Sequence, residues 1–234
     1  MNGALAPMYR MPVSFGPLPG PRNLPEGQRH RLFDKDVTTL TLSARTDAAA
    51  LQAMLPAGFA LAGEPRIEVA LLVLSNIGWL AGRGYNILLV RIPAVWRGAE
   101  ELPGHFVPVV WESMADPILT GRDELGWCKI NADIPAPVVE QGRWSAQAAW
   151  EGFRFFELSA EGFSPAAPEL PQPMMFRKYV PRTGAWGEAE IDYCTVTGET
   201  DAPPPQILSA ESGEGRFAFR AARWEDMPTQ YPIV

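Results

Sequence analysis

The chain has 234 residues and a mass of 25.7 kDa, with 47% apolar and 20% charged residues, which is enough to bury a sizeable core and excludes both a staple-dependent miniprotein and a globally disordered chain. A net charge of −7 and a pI near 5.0 argue against a nucleic-acid binder, and no apolar run reaches the roughly 18 residues that a membrane span needs. Two cysteines, Cys128 and Cys194, make no disulfide framework, and Met1 to Arg10 lacks the basic flank and long apolar stretch of a signal peptide, so a cytoplasmic setting is expected.

Residues 1–30 carry Pro7, Pro12, Pro17, Pro19, Pro21 and Pro25 with little periodicity, and read as an extended arm over the domain or a neighbouring subunit. Val37 to Ala44 is rich in β-branched residues and predicts a strand. Ala48 to Leu55 is an Ala/Leu-rich run with Thr46 or Asp47 as its N-cap and Pro56-Ala57-Gly58 as its stop, which predicts a short helix. Strand signals dominate the remainder: Ile67 to Ser75, Tyr85 to Ile92, Phe106 to Trp111, Trp127 to Ile134, Arg143 to Trp150, Phe153 to Leu158, Met174 to Val180, Ala189 to Val196 and Arg216 to Ala222. A second short helix is expected near Thr120 to Leu125. The pattern is mainly β (α+β), a closed or doubly layered architecture, in one domain spanning 1–234.

Several chemistries are poorly supplied. His30 and His105 stand alone, the latter in a Pro103-Gly104-His105 turn, and neither cysteine has a partner at a ligand spacing, so no metal is expected. No G-x-S-x-G elbow occurs, and Gly82-Arg83-Gly84 lacks the further glycine of a dinucleotide loop. The basic residues are more informative, since of 20 only Lys35, Lys129 and Lys178 are lysines, and lysine alone can become a nucleophilic amine when buried. Lys35 lies between Asp34 and Asp36 and reads as a solvated turn charge; Lys178 follows Arg177 in a strand and reads as an edge or outer-face residue. Alternation from Trp127 puts Lys129, Asn131 and Asp133 on one face, and Cys128, Ile130, Ala132 and Ile134 on a core face. Spacing leaves two environments open for Lys129, water or a polar cavity.

Gly121-Arg122-Asp123-Glu124-Leu125-Gly126-Trp127-Cys128-Lys129 resembles the G-R-E-E-L-G-F-P-K signature of the acetoacetate decarboxylase-like superfamily. The likeness extends to Asp116-Pro117-Ile118-Leu119-Thr120, to Trp79 through Asn86, to Met11 through Pro17 and to Trp224 through Tyr231. It implies a cone-like closed β-barrel, a homo-oligomer of tetramer size or larger, no cofactor, and Lys129 as a Schiff-base residue. A desolvated lysine is activated in this way because burial disfavours the ammonium, by up to about 3–5 pKa units. The decarboxylases of the superfamily carry a second lysine beside the first, where this chain has Cys128 and Ile130. Their glutamate after the Gly-Tyr-Asn run falls at Ile87, a second acid at Ala70, and a basic residue near Val37.

With Ile87 taken as inward, Arg83, Tyr85, Leu89 and Arg91 share its face. Tyr85 is a candidate to donate or relay a proton, or a packed ring; Arg83 and Arg91 are candidates to bind a substrate carboxylate, or structural ion-pair members. Glu112 is the candidate base, Arg122 to Glu124 a polar turn positioning the lysine strand, and Cys128 a packing residue. The function expected from the resemblance is that of a Schiff-base lyase on small oxo acids, namely a pyruvate aldolase–dehydratase or a 2-oxo-enoate hydratase, with an aldehyde as second partner. Acetoacetate decarboxylation is the alternative, and a non-catalytic barrel holding a small ligand is the alternative from another class.

Overall fold

A computed structural model describes residues 9–15, 34–185, 187–197 and 205–234, so the expectations for the rest of the N-terminal arm, His30 among them, lie outside the described residues. Elements follow in the order β1 (Asp36–Arg45), α1 (Ala48–Met54), β2 (Phe59–Leu61), β3 (Arg66–Ser75), β4 (Tyr85–Arg97), β5 (Glu101–Glu112) and α2 (Ala115–Thr120). Then come β6 (Lys129–Asn131), β7 (Val138–Glu140), β8 (Arg143–Trp150), β9 (Phe153–Pro165), β10 (Met174–Pro181), β11 (Ala189–Val196) and β12 (Glu211–Phe219). Helix α1 starts where expected because the Asp47 carboxylate accepts the Ala50 N–H at 2.7 Å, and it stops at Leu55, held extended before Pro56.

The larger sheet has the order β1-β3-β4-β5-β10-β11, with β2 added on β4 and β6 on β5; the smaller has the order β12-β9-β8-β7. Neighbours are antiparallel except β5 with β10 and β5 with β6. Strands β3, β4 and β5 are buried on both faces, which explains their near-continuous apolar sequences. One face presents Val69, Leu71, Leu88, Val90 and Trp111 to Phe155, Phe156 and Leu158 of the smaller sheet, forming the inter-sheet core. Each such large buried side chain stabilises the fold by about 1.5–3 kcal/mol. The opposite face carries Ala70, Leu74, Ile87, Leu89, Val110 and Phe176. This second face holds the candidate site.

Five expectations need correction or refinement. Among the described residues no sheet closes into a barrel: β1 and β11 are the edges of the larger sheet and the smaller sheet packs on it, which is the doubly layered alternative of the sequence reading. His105 lies inside β5 rather than in a turn, since Gly104 lets the Pro173 carbonyl approach to 2.5 Å from where a Cβ would sit. The lysine strand is three residues long, so Cys128 precedes it and packs beside Trp127 on the site side, while Ile130, Ala132 and Ile134 join the inter-sheet core as the alternation predicts. Lys178 is buried rather than on an outer face. The helix expected at Thr120 to Leu125 is instead the end of α2 running into a π turn, Gly121–Leu125.

Candidate active site

Register brings the chemistry together. Parallel pairing sets Lys129 beside Val110 and Asn131 beside Glu112, so Lys129 and Glu112 are diagonal neighbours on adjacent strands. Lys129 is 5% exposed and Glu112 is fully buried, with Nζ and Oε1 2.8 Å apart. Neither Glu112 oxygen has another hydrogen-bond partner among the described residues. Burial pushes the Glu112 carboxyl above its ordinary value, and the adjacent Lys129 charge opposes that only in part.

The lysine is held from several sides. Its Nζ donates to the Pro117 carbonyl at 3.2 Å and lies 4.7 Å from the Trp127 ring centroid. Gly121 closes the remaining side: a Cβ there would overlap the Lys129 stem, coming 2.6 Å from Cε and 2.9 Å from Nζ, so only glycine lets the π turn pass this close. Arg122 donates to the Lys129 carbonyl at 2.9 Å, and Lys178 donates to the Asp123 carbonyl at 2.7 Å. Both bonds anchor the π turn to β6 and β10. Arg10 donates to Thr120 Oγ1 at 2.9 Å and sits 3.3 Å from Glu124 Oε1, so the N-terminal segment clamps the same turn. On the far side of β6, Gln230 accepts from the Trp111 indole at 3.1 Å and donates to the Asn131 carbonyl at 3.0 Å.

The other sequence candidates divide. Tyr85 opens β4 at the Glu112 end of the sheet, two residues from the Ile87 that pairs with Glu112. Desolvation first, and then the Glu112 charge, push its phenol above the ordinary value, which keeps it protonated and a donor. Arg83 lies apart, donating to the Leu80 carbonyl at 3.2 Å from an exposed position. Arg91 lies four residues beyond Ile87 along β4, 3.0 Å from Glu68, which also has His105 at 3.3 Å and Arg66 at 3.3 Å. The structure therefore joins Lys129, Glu112 and Tyr85 and leaves Arg83 and Arg91 outside. Sequence reasoning missed the burial of Lys178 and the clamp from Arg10, whose partners are a backbone carbonyl and a turn distant in the chain. Trp127 on the lysine's face was visible in the alternation. Among the described residues no three His, Cys, Asp or Glu side chains converge to hold a metal, and no helix is long and apolar enough to cross a membrane.

Comparison with known proteins gives this arrangement a setting. Among solved structures, an acetoacetate decarboxylase from Legionella pneumophila superposes with a TM-score of 0.67 at 19% identity, covering 82% of this chain and 75% of that one. An acetoacetate decarboxylase-like enzyme from Sphingomonas wittichii RW1 matches with a TM-score of 0.63 at 19% identity, over 79% of this chain and 78% of the other. The enduracididine biosynthesis enzyme MppR, complexed with pyruvate, matches with a TM-score of 0.63 at 17% identity, over 83% and 79%. MppR has also been solved with the condensation product of pyruvate and imidazole 4-carboxaldehyde. No curated protein matches the sequence. At these identities the superpositions establish a shared fold, and the acetoacetate decarboxylase family model matches residues 10–234. With the lysine signature and nearly the whole chain inside that match, this protein belongs to the acetoacetate decarboxylase family.

Proposed function

We propose that this chain is a Schiff-base lyase for small oxo acids, working through Lys129 in the pyruvate aldolase–dehydratase branch of the family. The observation that carries the reading is the 2.8 Å contact between a nearly buried lysine amine and a fully buried carboxylate whose pKa is raised. In such a pair the proton on Nζ passes to Glu112, freeing the amine to attack the C2 carbonyl. Glu112 returns the proton to the carbinolamine hydroxyl, which leaves as water, and the iminium remains on Nζ. Loss of a C3 proton to Glu112 gives the enamine, whose C3 attacks an aldehyde carbon. The Tyr85 phenol protonates the new alkoxide; Glu112, protonated since enamine formation, then gives its proton to that hydroxyl as it leaves as water, while the tyrosinate takes the second C3 proton, so the conjugated product forms with both groups restored. Hydrolysis of the iminium then restores Lys129. Trp127 and the π turn exclude water meanwhile.

The choice of branch rests on what surrounds the pair. Apolar Ile87 and Ala70 lie in the face beside it, and Cys128 and Ile130 flank the lysine where decarboxylases of the superfamily carry a second amine. MppR's ligands, pyruvate and its condensation product with an aldehyde, lend support from the same fold. The test is product formation. Pyruvate with an aromatic aldehyde should yield a strongly absorbing unsaturated 2-oxo acid, while acetoacetate releases CO2 slowly or not at all. Rapid CO2 release without condensation would reverse the order.

A further inference from the structure

Lys129 and Glu112 sit on strands of unequal support. Strand β5 has β4, β6 and β10 as neighbours, whereas β6 is three residues long and pairs with β5 alone among the described residues. The parallel ladder turns the Cys128 carbonyl toward β5, where it accepts the Val110 N–H at 3.3 Å. The alternate carbonyls, those of Lys129 and Asn131, face the other way, where a further strand would bond them. Two side chains take that strand's place. Arg122 donates to the Lys129 carbonyl at 2.9 Å, and Gln230 donates to the Asn131 carbonyl at 3.0 Å.

Gln230 differs from Arg122 in also holding β5. Its Oε1 accepts the Trp111 indole N–H at 3.1 Å, so one amide joins the two strands from the inter-sheet side. Trp111 directly precedes Glu112, and Asn131 pairs with Glu112 two residues after Lys129. The indole only donates and the carbonyl only accepts, so a single orientation of the amide serves both. Gln230 is 7% exposed, and its backbone is fixed: its N–H donates to the Met227 carbonyl at 3.0 Å, and its carbonyl accepts the Ile233 N–H at 2.9 Å. Fully buried Met227 seats this C-terminal segment in the inter-sheet core, and Asp226 just before it pairs with Arg223 at 3.0 Å. Trp111 and Glu112 alternate between the two faces of the sheet, so Gln230 touches neither reacting group.

We propose that Gln230 is the positioning residue of the Lys129–Glu112 pair: by tying the Asn131 carbonyl to the Trp111 indole it fixes β6 against β5 and keeps the amine within proton-transfer distance of the carboxylate. The effect on catalysis rests on the Schiff-base reading, whereas the positioning concerns the pair's geometry alone. Without the amide, the Asn131 end of β6 is held by its short ladder and by the 3.3 Å bond from the Asn131 side chain to the Glu112 carbonyl, while two buried polar groups lose their partner. A displacement of about 1 Å at a reacting contact slows the step by about 10²-fold.

The test is Gln230→Met, which keeps the length of the side chain but neither bond, with Trp111→Phe as a second variant that releases only the β5 side. Two quantities are read: the titration of the Glu112 carboxyl by ¹³C NMR, its signal assigned by its loss in Glu112→Gln, and the rate of pyruvate trapping by borohydride per folded molecule. Drawing Lys129 away removes the charge that opposes burial at Glu112, so in Gln230→Met the carboxyl should titrate at higher pH than in the wild type. Tyr85, the other titratable group in electrostatic contact with Glu112, stays protonated over this range and adds nothing to the change. Trapping should fall about 10–100-fold, and Trp111→Phe should move both quantities in the same direction by less. An unchanged Glu112 titration in folded Gln230→Met, or in Trp111→Phe where the first variant does not fold, overturns the proposal, because a residue serving stability alone would raise the unfolded fraction without moving that titration. If the titration moves but the wild type is trapped by no oxo acid, the positioning stands and the Schiff-base reading falls. If the wild type is trapped and Gln230→Met titrates and reacts as the wild type does, the Schiff-base reading stands and this proposal falls.

Discussion

Two buried glutamates lie on the same face of the larger sheet and behave oppositely. Glu68, at one end, has a hydrogen-bonded His105, Arg91 at 3.0 Å and Arg66 at 3.3 Å, and these hold its carboxyl below the ordinary value, led by the His105 contact. Glu112, at the other end, has Lys129 and no further partner among the described residues, and desolvation wins over that single charge. Residue type is the same, but Glu112 is the more deeply buried and has fewer partners. A fully compensated carboxylate is fixed in its charged form, whereas an under-compensated one can take and return a proton. On the proposed function the first cluster serves stability and the second chemistry.

The largest effect expected from breaking this contrast is on Glu112. Glu112→Gln keeps the shape but removes the proton acceptor, and should slow borohydride trapping of pyruvate by about 10²–10⁴-fold. In the wild type, trapping should rise with pH through a limb set above the 4.5 of an ordinary glutamate, and Glu112→Gln should lose that limb. Next, Gly121→Ala forces the Lys129 stem to move and should reduce trapping about 10–100-fold without unfolding the protein, as checked by circular dichroism.

Glu68→Gln should do the reverse, leaving trapping intact while lowering stability to urea by about 1–3 kcal/mol at neutral pH. Because the folded Glu68 carboxyl is depressed, its contribution is present above the unfolded value and fades as pH falls through the folded one, so this loss should shrink in acid. Glu112 has the opposite linkage, its folded pKa being raised: its relative stabilisation is present below the unfolded value and is lost as pH rises through the folded one. The smallest effect is at the thiols. Burial pushes Cys128 up to about 12, and its Sγ donates to the Val107 carbonyl at 3.2 Å, so iodoacetamide should label exposed Cys194 well before Cys128.

The long apolar strands of the larger sheet were legible because burial on both faces leaves an unbroken signature, as in Ile67 to Ser75. The Lys129 motif was legible through its resemblance, and alternation correctly sent Ile130, Ala132 and Ile134 to the core. What escaped was set by distant partners. Lys178 looks like an edge residue until its ammonium meets the Asp123 carbonyl, 55 positions away. His105 looked like a turn because Pro103-Gly104 ordinarily marks one, whereas here glycine admits the Pro173 carbonyl of a neighbouring chain segment. Closure of a sheet likewise depends on edge geometry, which strand-by-strand periodicity does not encode.

The central claim is that the amine beside Glu112 is the reactive one, and the chain's three lysines make it directly testable. Pyruvate and borohydride, followed by peptide mass mapping, should place a single reduced adduct on Lys129 and leave Lys35 and Lys178 unmodified. An adduct on either of those two, or none on Lys129 with any oxo acid offered, would contradict the account.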